Sequence, residues 1–313
     1  MNPKAITLDL GGTRIKIGTA EGEVLIADSI IDAFSDAGLK PRLPAIEAEI
    51  SALLTKSHLS ASDIAGIGIS IPGIVDSKQM KLLSVNEKYA DAVGFDFAGW
   101  AMKNWNLPVV LENDARCALI GEWQYGAGKG CDNLVMVTLG TGIGGAAIID
   151  GKVVRGKHFQ AGILPGHFTV NYHGAECNCG NVGCVEAEAS SWRLPDLAAR
   201  NPLFKSSPLS KTMTIDYKEV FDLAERGDAL SEELVRHSIE VWSACVVNLI
   251  HAYDPEMAII GGGIMRNASR ILPAIASRVE KHSWTPWGKV RIVPAAQTDF
   301  AALLGAGYLV CHV

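Results

Sequence analysis

Apolar and polar residues alternate over Ala5-Ile6-Thr7-Leu8-Asp9-Leu10, pass Gly11-Gly12-Thr13, and resume through Ile15-Lys16-Ile17-Gly18. A period of two broken by glycines predicts strand, tight turn and strand. Glu21-Gly22 then offers a hairpin turn. The same order returns at Leu134–Leu139, followed by Gly140-Thr141-Gly142-Ile143-Gly144-Gly145, an apolar strand to Ile149, and Asp150-Gly151. In both copies 11 residues separate the first glycine of the turn from the hairpin glycine. Two Gly-rich hairpins can agree by coincidence. A true repeat predicts two domains on one plan, each opening with an antiparallel meander and continuing into alternating helices and strands.

Between the copies, Pro44 stands where a helix can begin, and Ile46, Ile50, Leu53 and Leu54 form one apolar stripe at helical spacing. A core strand follows from Ile64 to Ile71 and is stopped by Pro72-Gly73. A polar stretch leads to a buried strand, Leu107–Leu111, that runs into Glu112-Asn113-Asp114 and a helix from Ala115. Such strand-to-helix junctions are where α/β folds meet their ligands. Later, Ser231-Glu232-Glu233 starts a long helix ended by Asp254-Pro255, and Met257–Ile260 is a strand entering Gly261-Gly262-Gly263. The chain closes on a helix from Ala301 to Leu309. Residues 195–217, rich in Pro, Ser, Thr and Lys, read as a surface loop or insertion.

Composition narrows the class. A chain of 313 residues has room for two domains, and 48% hydrophobic against 20% charged residues supports ordinary cores. A net charge of -6 gives no basic surface for nucleic acid or an anionic membrane, so small molecules are the expected partners. The longest apolar stretch, Leu134–Ile149, is 16 residues broken by glycines, too short to span a bilayer. No secretory segment precedes the first strand. The expectation is a soluble, cytoplasmic protein. Seven cysteines, three of them within residues 177–184, suggest metal ligands before disulfides in a reducing compartment.

The chemistry concentrates at few places. Asp9 sets a carboxylate at a strand end beside Gly11-Gly12-Thr13, where backbone N–H groups can approach a phosphate and Thr13 adds a hydroxyl. The alternative is a hairpin whose glycines only satisfy positive φ. Repetition at 140–145 and 261–263 favours phosphate cradles, and three of them suit a nucleoside triphosphate. Neither Walker nor Rossmann spacing is met by the first two turns. Asn113-Asp114 can be a helix cap. Beside phosphate cradles, Asp114 can also accept a hydroxyl proton as an alcohol attacks a γ-phosphate, with Asn113 on a neighbouring hydroxyl. Cys177, Cys179 and Cys184, with Gly180 and Gly183 between them and His167 upstream, make a closed three-sulfur, one-nitrogen set of the structural zinc type. Redox chemistry is the rival reading, and Cys-Asn-Cys lacks its Cys-x-x-Cys spacing. Cys117 and Cys245 fall in helical patterns and read as core residues.

Taken in order, Asp-x-Gly-Gly-Thr at 9–13, Glu-Asn-Asp-Ala at 112–115, Gly-Thr-Gly-x-Gly-Gly at 140–145, Gly-His at 166–167, Cys-x-Cys-Gly-x-x-Gly-Cys-x-Glu at 177–186 and Asp-Pro-Glu before Gly-Gly-Gly at 254–263 resemble the ROK family of repressors and sugar kinases over nearly the whole chain. The resemblance implies the actin and hexokinase ATPase architecture: two ribonuclease-H-like α/β domains with an inter-domain active-site cleft. It implies an N-terminal domain of residues 1–115 completed by 300–313, and a C-terminal domain of 116–299 carrying the zinc loop 167–184. Asp114 would be the general base on a hexose 6-hydroxyl, with Asn113, His167, Glu186 and Gly73 at the sugar. Asp9 would position Mg²⁺. ATP would meet Asp9, Gly11, Gly12, Thr13 and Lys16, then Gly140, Thr141 and Gly142, with Gly262 and Gly263 at the adenosine. A structural Zn²⁺ would sit on His167, Cys177, Cys179 and Cys184. A homodimer or tetramer is also implied.

One segment departs from the family pattern. Ala-Gly-Glu-x-Gly-His, whose glutamate grips a sugar hydroxyl, is replaced by Ala161-Gly162-Ile163-Leu164-Pro165-Gly166-His167. Loss of one charge-assisted hydrogen bond, worth ~1.5–3 kcal/mol, corresponds to about tenfold to hundredfold in affinity. Glu188 is a candidate substitute, or else a solvated helix residue. The expected activity is a glucokinase-type hexokinase, with N-acetylmannosamine, N-acetylglucosamine or fructose as alternative acceptors. The rivals are a sugar-responsive repressor, for whose DNA-binding segment Asp9 leaves no room, and a sugar-binding protein without catalysis.

Overall fold

The computed structural model describes residues 3–312. Contacts divide them into two compact units. The first runs through Gly130, takes back Val153–Ile163 and ends with the chain from Ala296, while the second is Cys131–Lys152 with Leu164–Ala295.

The first unit opens as the alternation predicts, with β1 (Lys4–Leu10), β2 (Arg14–Glu21) and β3 (Val24–Asp32) in an antiparallel meander. Helix α1 (Leu43–Lys56) follows with Pro44 in its first turn, and it buries Ile46, Ile50, Leu53 and Leu54, the stripe read from spacing. Strand β4 (Ile64–Ile71) lies parallel to β1, then come the small hairpin β5 (Ile74–Asp76) and β6 (Lys81–Ser84), helix α2 (Phe97–Trp105), and β7 (Val109–Asn113) parallel to β4. The sheet order is β3-β2-β1-β4-β7. Helix α3 (Asp114–Tyr125) leaves β7 directly.

The second unit repeats the plan. Strands β8 (Leu134–Leu139), β9 (Ile143–Ile149) and β10 (Lys152–Val153) begin it. Helices α4 (Val185–Ala189), α5 (Leu194–Arg200), α6 (Tyr217–Glu225) and α7 (Ala229–Tyr253) follow, then β11 (Met257–Gly261), α8 (Ala268–His282) and β12 (Arg291–Pro294). Strands β11 and β12 extend the sheet parallel to β8, in the order β10-β9-β8-β11-β12. Each unit is thus a ribonuclease-H-like meander of three strands extended by two parallel ones.

Helix α9 (Ala301–His312) belongs to the first unit. It lies so close to β4 that a Cβ on Gly68 would stand 2.3 Å from the Ala306 carbonyl oxygen, and so close to α3 that one on Gly305 would stand 1.9 Å from that of Cys117. Small residues on three elements therefore permit one packed layer. The same contact explains why α3, placed by sequence in the second domain, is grouped with the first unit. A second difference concerns residues 195–217. Pro195 stands in the first turn of α5, where a missing N–H costs nothing, and the segment continues in short 3₁₀ turns that bury Leu209. Helix α7 also starts earlier than its Ser-Glu-Glu signal, because Asp228 caps it by accepting from the Ser231 backbone N–H at 3.0 Å. Among the described residues no helix is long and apolar enough to cross a membrane.

Candidate functional site

In the first unit, strand register brings three polar side chains together. Asp9 on β1 pairs with Lys16 on β2 and with Ser70 on β4. Ser70 Oγ donates to Asp9 Oδ1 at 2.8 Å, Lys16 Nζ lies 3.9 Å from Oδ2, and the same ammonium donates to the Asp299 carbonyl at 2.5 Å. Burial raises the Asp9 pKa, opposed by Lys16 and Ser70. Glycines 11 and 12 are not in the positive-φ region, so the hairpin-strain reading does not account for them. Space does. A Cβ on Gly11 would lie 2.7 Å from the Arg14 carbonyl oxygen, and one on Gly12 would lie 2.7 Å from Lys88 Nζ. The Gly11 carbonyl accepts from Tyr89 Oη and the Gly12 carbonyl from Ser35 Oγ, both at 2.7 Å. Trans peptides then aim the N–H groups of Gly12 and Thr13 to the opposite side, as a phosphate cradle requires.

At the β7–α3 junction, Asn113 is the cap, its Oδ1 accepting from Arg116 N–H at 3.2 Å. Its amide donates to the Gly73 carbonyl and to Asp114 Oδ1, both at 2.9 Å. Gly73 has φ of 106°, and a Cβ there would stand 2.3 Å from the Ser84 carbonyl oxygen. Asp114 occupies the first helical position and accepts from Ala115 N–H at 2.8 Å. Burial and then Asp9 raise its pKa, while Ala115 N–H, Lys88 and Asn113 lower it, for a net upward shift. Beneath, fully buried Glu112 holds Arg116 at 3.2 Å and Arg155 at 2.8 Å. The Arg116 guanidinium also donates to the carbonyls of Val154, Phe159 and Ala161. A charge pair buried here is tolerable because these bonds satisfy it, and the result is a rigid seat for Asn113-Asp114.

In the second unit, the 140–142 turn is tied to the end of α4 by Ser191 N–H on the Gly140 carbonyl at 3.1 Å and Trp192 N–H on that of Thr141 at 3.3 Å. Glu186 lies against the turn. Its Oε2 accepts from Ile143 N–H at 2.7 Å, its Oε1 from Trp192 Nε1 at 3.4 Å, and a Cβ on Gly142 would stand 2.6 Å from Oε2. Helix α4 is itself fixed where Tyr217 Oη and Trp242 Nε1 both donate to the Ala189 carbonyl, at 2.9 and 3.0 Å. A pocket of about 250 Å³ is lined by Gly140, Thr141, Lys218, Gly263, Arg266 and Asn267, among others. Gly262, at φ of 94°, carries the chain into it, and a Cβ there would strike the Leu139 carbonyl oxygen at 2.3 Å. The second and third glycine segments thus share one concave surface. Lys218, Arg266, Lys88, Ser70 and Tyr89 are polar site neighbours that no motif marked.

The four metal-type side chains also converge. The ligand atoms of His167, Cys177, Cys179 and Cys184 all lie within 4.8 Å of one another, with Cys177 Sγ 3.6 Å from His167 Nδ1 and Cys179 Sγ 3.8 Å from Cys184 Sγ. A tetrahedral zinc with sulfur at about 2.3 Å sets its ligands about 3.8 Å apart, so the donor set fits. Gly183, at φ of 63°, allows the wrap, since a Cβ there would overlap the Asn171 carbonyl oxygen at 1.5 Å. Glu188 is neither solvated nor offered to a ligand. It is 5% exposed, its Oε1 accepts from Ala175 N–H at 2.7 Å, and His237 Nε2 stands 3.7 Å from Oε2. It anchors the cysteine loop instead. At the missing-glutamate segment Ile163 is buried and Leu164 is exposed, with Pro165–His167 in a 3₁₀ turn.

The sequence profile of the ROK family matches residues 5–313. A glucokinase of Halalkalibacterium halodurans is 31% identical over 97% of this chain and 94% of its own. A ROK hexokinase from Thermus thermophilus has a similar structure, with TM-score 0.81 and 27% identity over 99% of this chain and 98% of its own. A ROK glucokinase from Streptomyces griseus, solved with glucose and AMPPNP, has TM-score 0.78 and 28% identity over 98% of each chain.

Proposed function

The chain belongs to the ROK family, and on that premise we propose that it is an ATP-dependent hexokinase transferring the γ-phosphoryl group to the 6-hydroxyl of a hexose, with glucose the leading acceptor. The observation that carries this reading is the β7–α3 junction. A carboxylate with a raised pKa, Asp114, is seated on a buried ionic network in the same unit as a glycine turn built for close approach. Asp114 is the general base, and a raised pKa makes a carboxylate a stronger base toward a hydroxyl proton. Asn113, Gly73, His167 and Glu186 serve the sugar. Gly11, Gly12, Thr13 and Lys16 meet phosphates, as do Gly140, Thr141 and Gly142, while Gly262 and Gly263 border the adenosine.

Asp9 is the carboxylate that would hold Mg²⁺, which neutralises phosphate charge when bound. His167, Cys177, Cys179 and Cys184 would hold a structural Zn²⁺, which fixes their loop and with it the His167 ring and the start of α4. Alternative acceptors are N-acetylmannosamine, N-acetylglucosamine and fructose, because neither Ile163 nor Leu164 supplies the family's carboxylate. A role in the cytoplasm as a homodimer or tetramer completes the proposal, and retained Asp114 and glycine turns set it above a non-catalytic or repressor role.

The test is ADP release with Mg·ATP across hexoses, amino sugars and ketoses, with Asp114→Asn as the control. Sugar-dependent ADP from the wild type, reduced at least about 10³-fold in the variant, is expected. A wild type no better than the variant on every sugar rejects the proposal.

A further inference from the structure

Resting on the kinase reading, we infer that Lys88 is a further catalytic residue: its ammonium meets the transferring phosphoryl group at the Gly11-Gly12 turn and compensates the negative charge of that group and of Asp114. Three observations place it there. The Lys88 side chain lies across Gly12, with Nζ, Cε and Cδ each within 3 Å of where a Cβ would stand, at 2.7, 2.7 and 2.9 Å. The glycine therefore makes room for a cation as well as for a phosphate.

The backbone around Lys88 is also held in a costly shape. Glu87 and Tyr89 both adopt left-handed conformations, φ of 63° and 54°, where the Cβ of a non-glycine residue crowds its own backbone. Strain of this kind persists where surrounding contacts over-determine it. Here Tyr89 is fully buried, its N–H donates to the Ser35 carbonyl at 2.9 Å, and its hydroxyl holds the Gly11 carbonyl at 2.7 Å. The bracket fixes Lys88 and the turn to each other. Finally, Lys88 is near enough to Asp114 to favour its carboxylate, against the opposing field of Asp9.

The chemistry needs such a group. As the sugar hydroxyl oxygen bonds to the γ-phosphorus, the bond from that phosphorus to the β,γ-bridging oxygen breaks, ADP leaves with the electron pair, and the hydroxyl proton passes to Asp114. Charge is spread over the γ-oxygens throughout, and a positioned cation stabilises it.

The test compares Lys88→Met and Lys88→Arg in the full chain. Expected for Lys88→Met are kcat reduced at least about tenfold, sugar KM within about twofold, and an acid limb of kcat/KM displaced to higher pH, because loss of the ammonium raises the pKa of Asp114. Lys88→Arg recovers a large part of kcat. Unchanged kcat in Lys88→Met, or an effect confined to sugar KM, overturns the inference. A second readout is independent of turnover. Calorimetric titration with inorganic tripolyphosphate is expected to show at least about fivefold weaker binding to Lys88→Met than to wild type or Lys88→Arg, and equal affinities overturn the role. If the wild type phosphorylates no sugar, the kinase reading fails while this titration still decides whether Lys88 binds phosphate.

Discussion

At the scale of single residues, the setting of the motif positions refines what their types suggest. Asn113 and Asp114 can each serve as a cap, and in the structure Asn113 caps α3 with Asp114 one position further on. Because the Asp114 pKa is raised chiefly by burial, the group costs stability whenever it is ionised in the folded chain. The sign follows from proton linkage. Between the unfolded and folded pKa values the native state binds more protons, so this residue's unfavourable contribution grows as pH rises through that window and is complete above the folded pKa. Asp114→Asn is therefore expected to lose activity yet gain up to about 1 kcal/mol of stability at pH 7, and so to unfold at a higher temperature. The gain should shrink as pH falls toward the ordinary carboxylate range. Thermal scans of both proteins across pH check this, and a variant less stable than wild type at pH 7 contradicts it. Asp9 and Asp114 were legible because each sits in a recognisable pattern. Lys88 was not. It is one of four lysines between residues 73 and 106, and only the fold, by laying it across Gly12, distinguishes it from the other three.

At the scale of elements, hydrophobic patterning located most of the strands and helices, since β1, β2, β4 and α1 carry an apolar pattern of one period and β11 is an unbroken apolar run. Residues 195–217 misled because proline was taken as a breaker when its place in the first turn of α5 makes it a helix starter. The cysteine loop shows how little regular structure is needed to bring four donor side chains together. Its order comes from the closely grouped donors, from Gly183 beneath Asn171, and from Glu188 holding Ala175 N–H. Remove one thiolate and only these weaker ties remain. Cys179→Ser is accordingly expected to lower a zinc content of about one per chain, to lower the unfolding temperature of the second unit, and to raise sugar KM more than it reduces kcat, since the loop carries His167 and leads into Glu186. Elemental analysis with calorimetry and kinetics checks the three effects, and a wild type that is metal-free and as stable as its metal-loaded form excludes the zinc role.

At the scale of the whole molecule, the internal repeat was visible in the equal spacing of two glycine turns, and the two sheets have the same strand order. The course of the chain was less visible, because the first unit is assembled from three separate segments. Helix α9 closes it. Its Ala306 and Leu309 pack with Cys117 and Ile120 of α3, Gly305 and Gly68 give it close approach, and buried Glu122 accepts from Ala296 N–H at 3.0 Å and Gln297 N–H at 2.6 Å just before it begins. Full burial of Leu303 and Leu304 alone is worth roughly 1.5–3 kcal/mol each. Together with the two hydrogen bonds that Glu122 loses, keeping among the described residues only that from Ala127 N–H, the loss of α9 reaches the lower part of the 5–15 kcal/mol that typically holds a protein folded. A chain ending at Ala295 should therefore keep the second unit's fold while the first binds a hydrophobic dye such as ANS, loses its cooperative transition and abolishes turnover. The second unit needs no residue beyond Ala295, so calorimetry should retain one transition where the full chain has its complete unfolding heat. A truncated chain with wild-type unfolding heat and no dye binding would show that the first unit closes without its last helix.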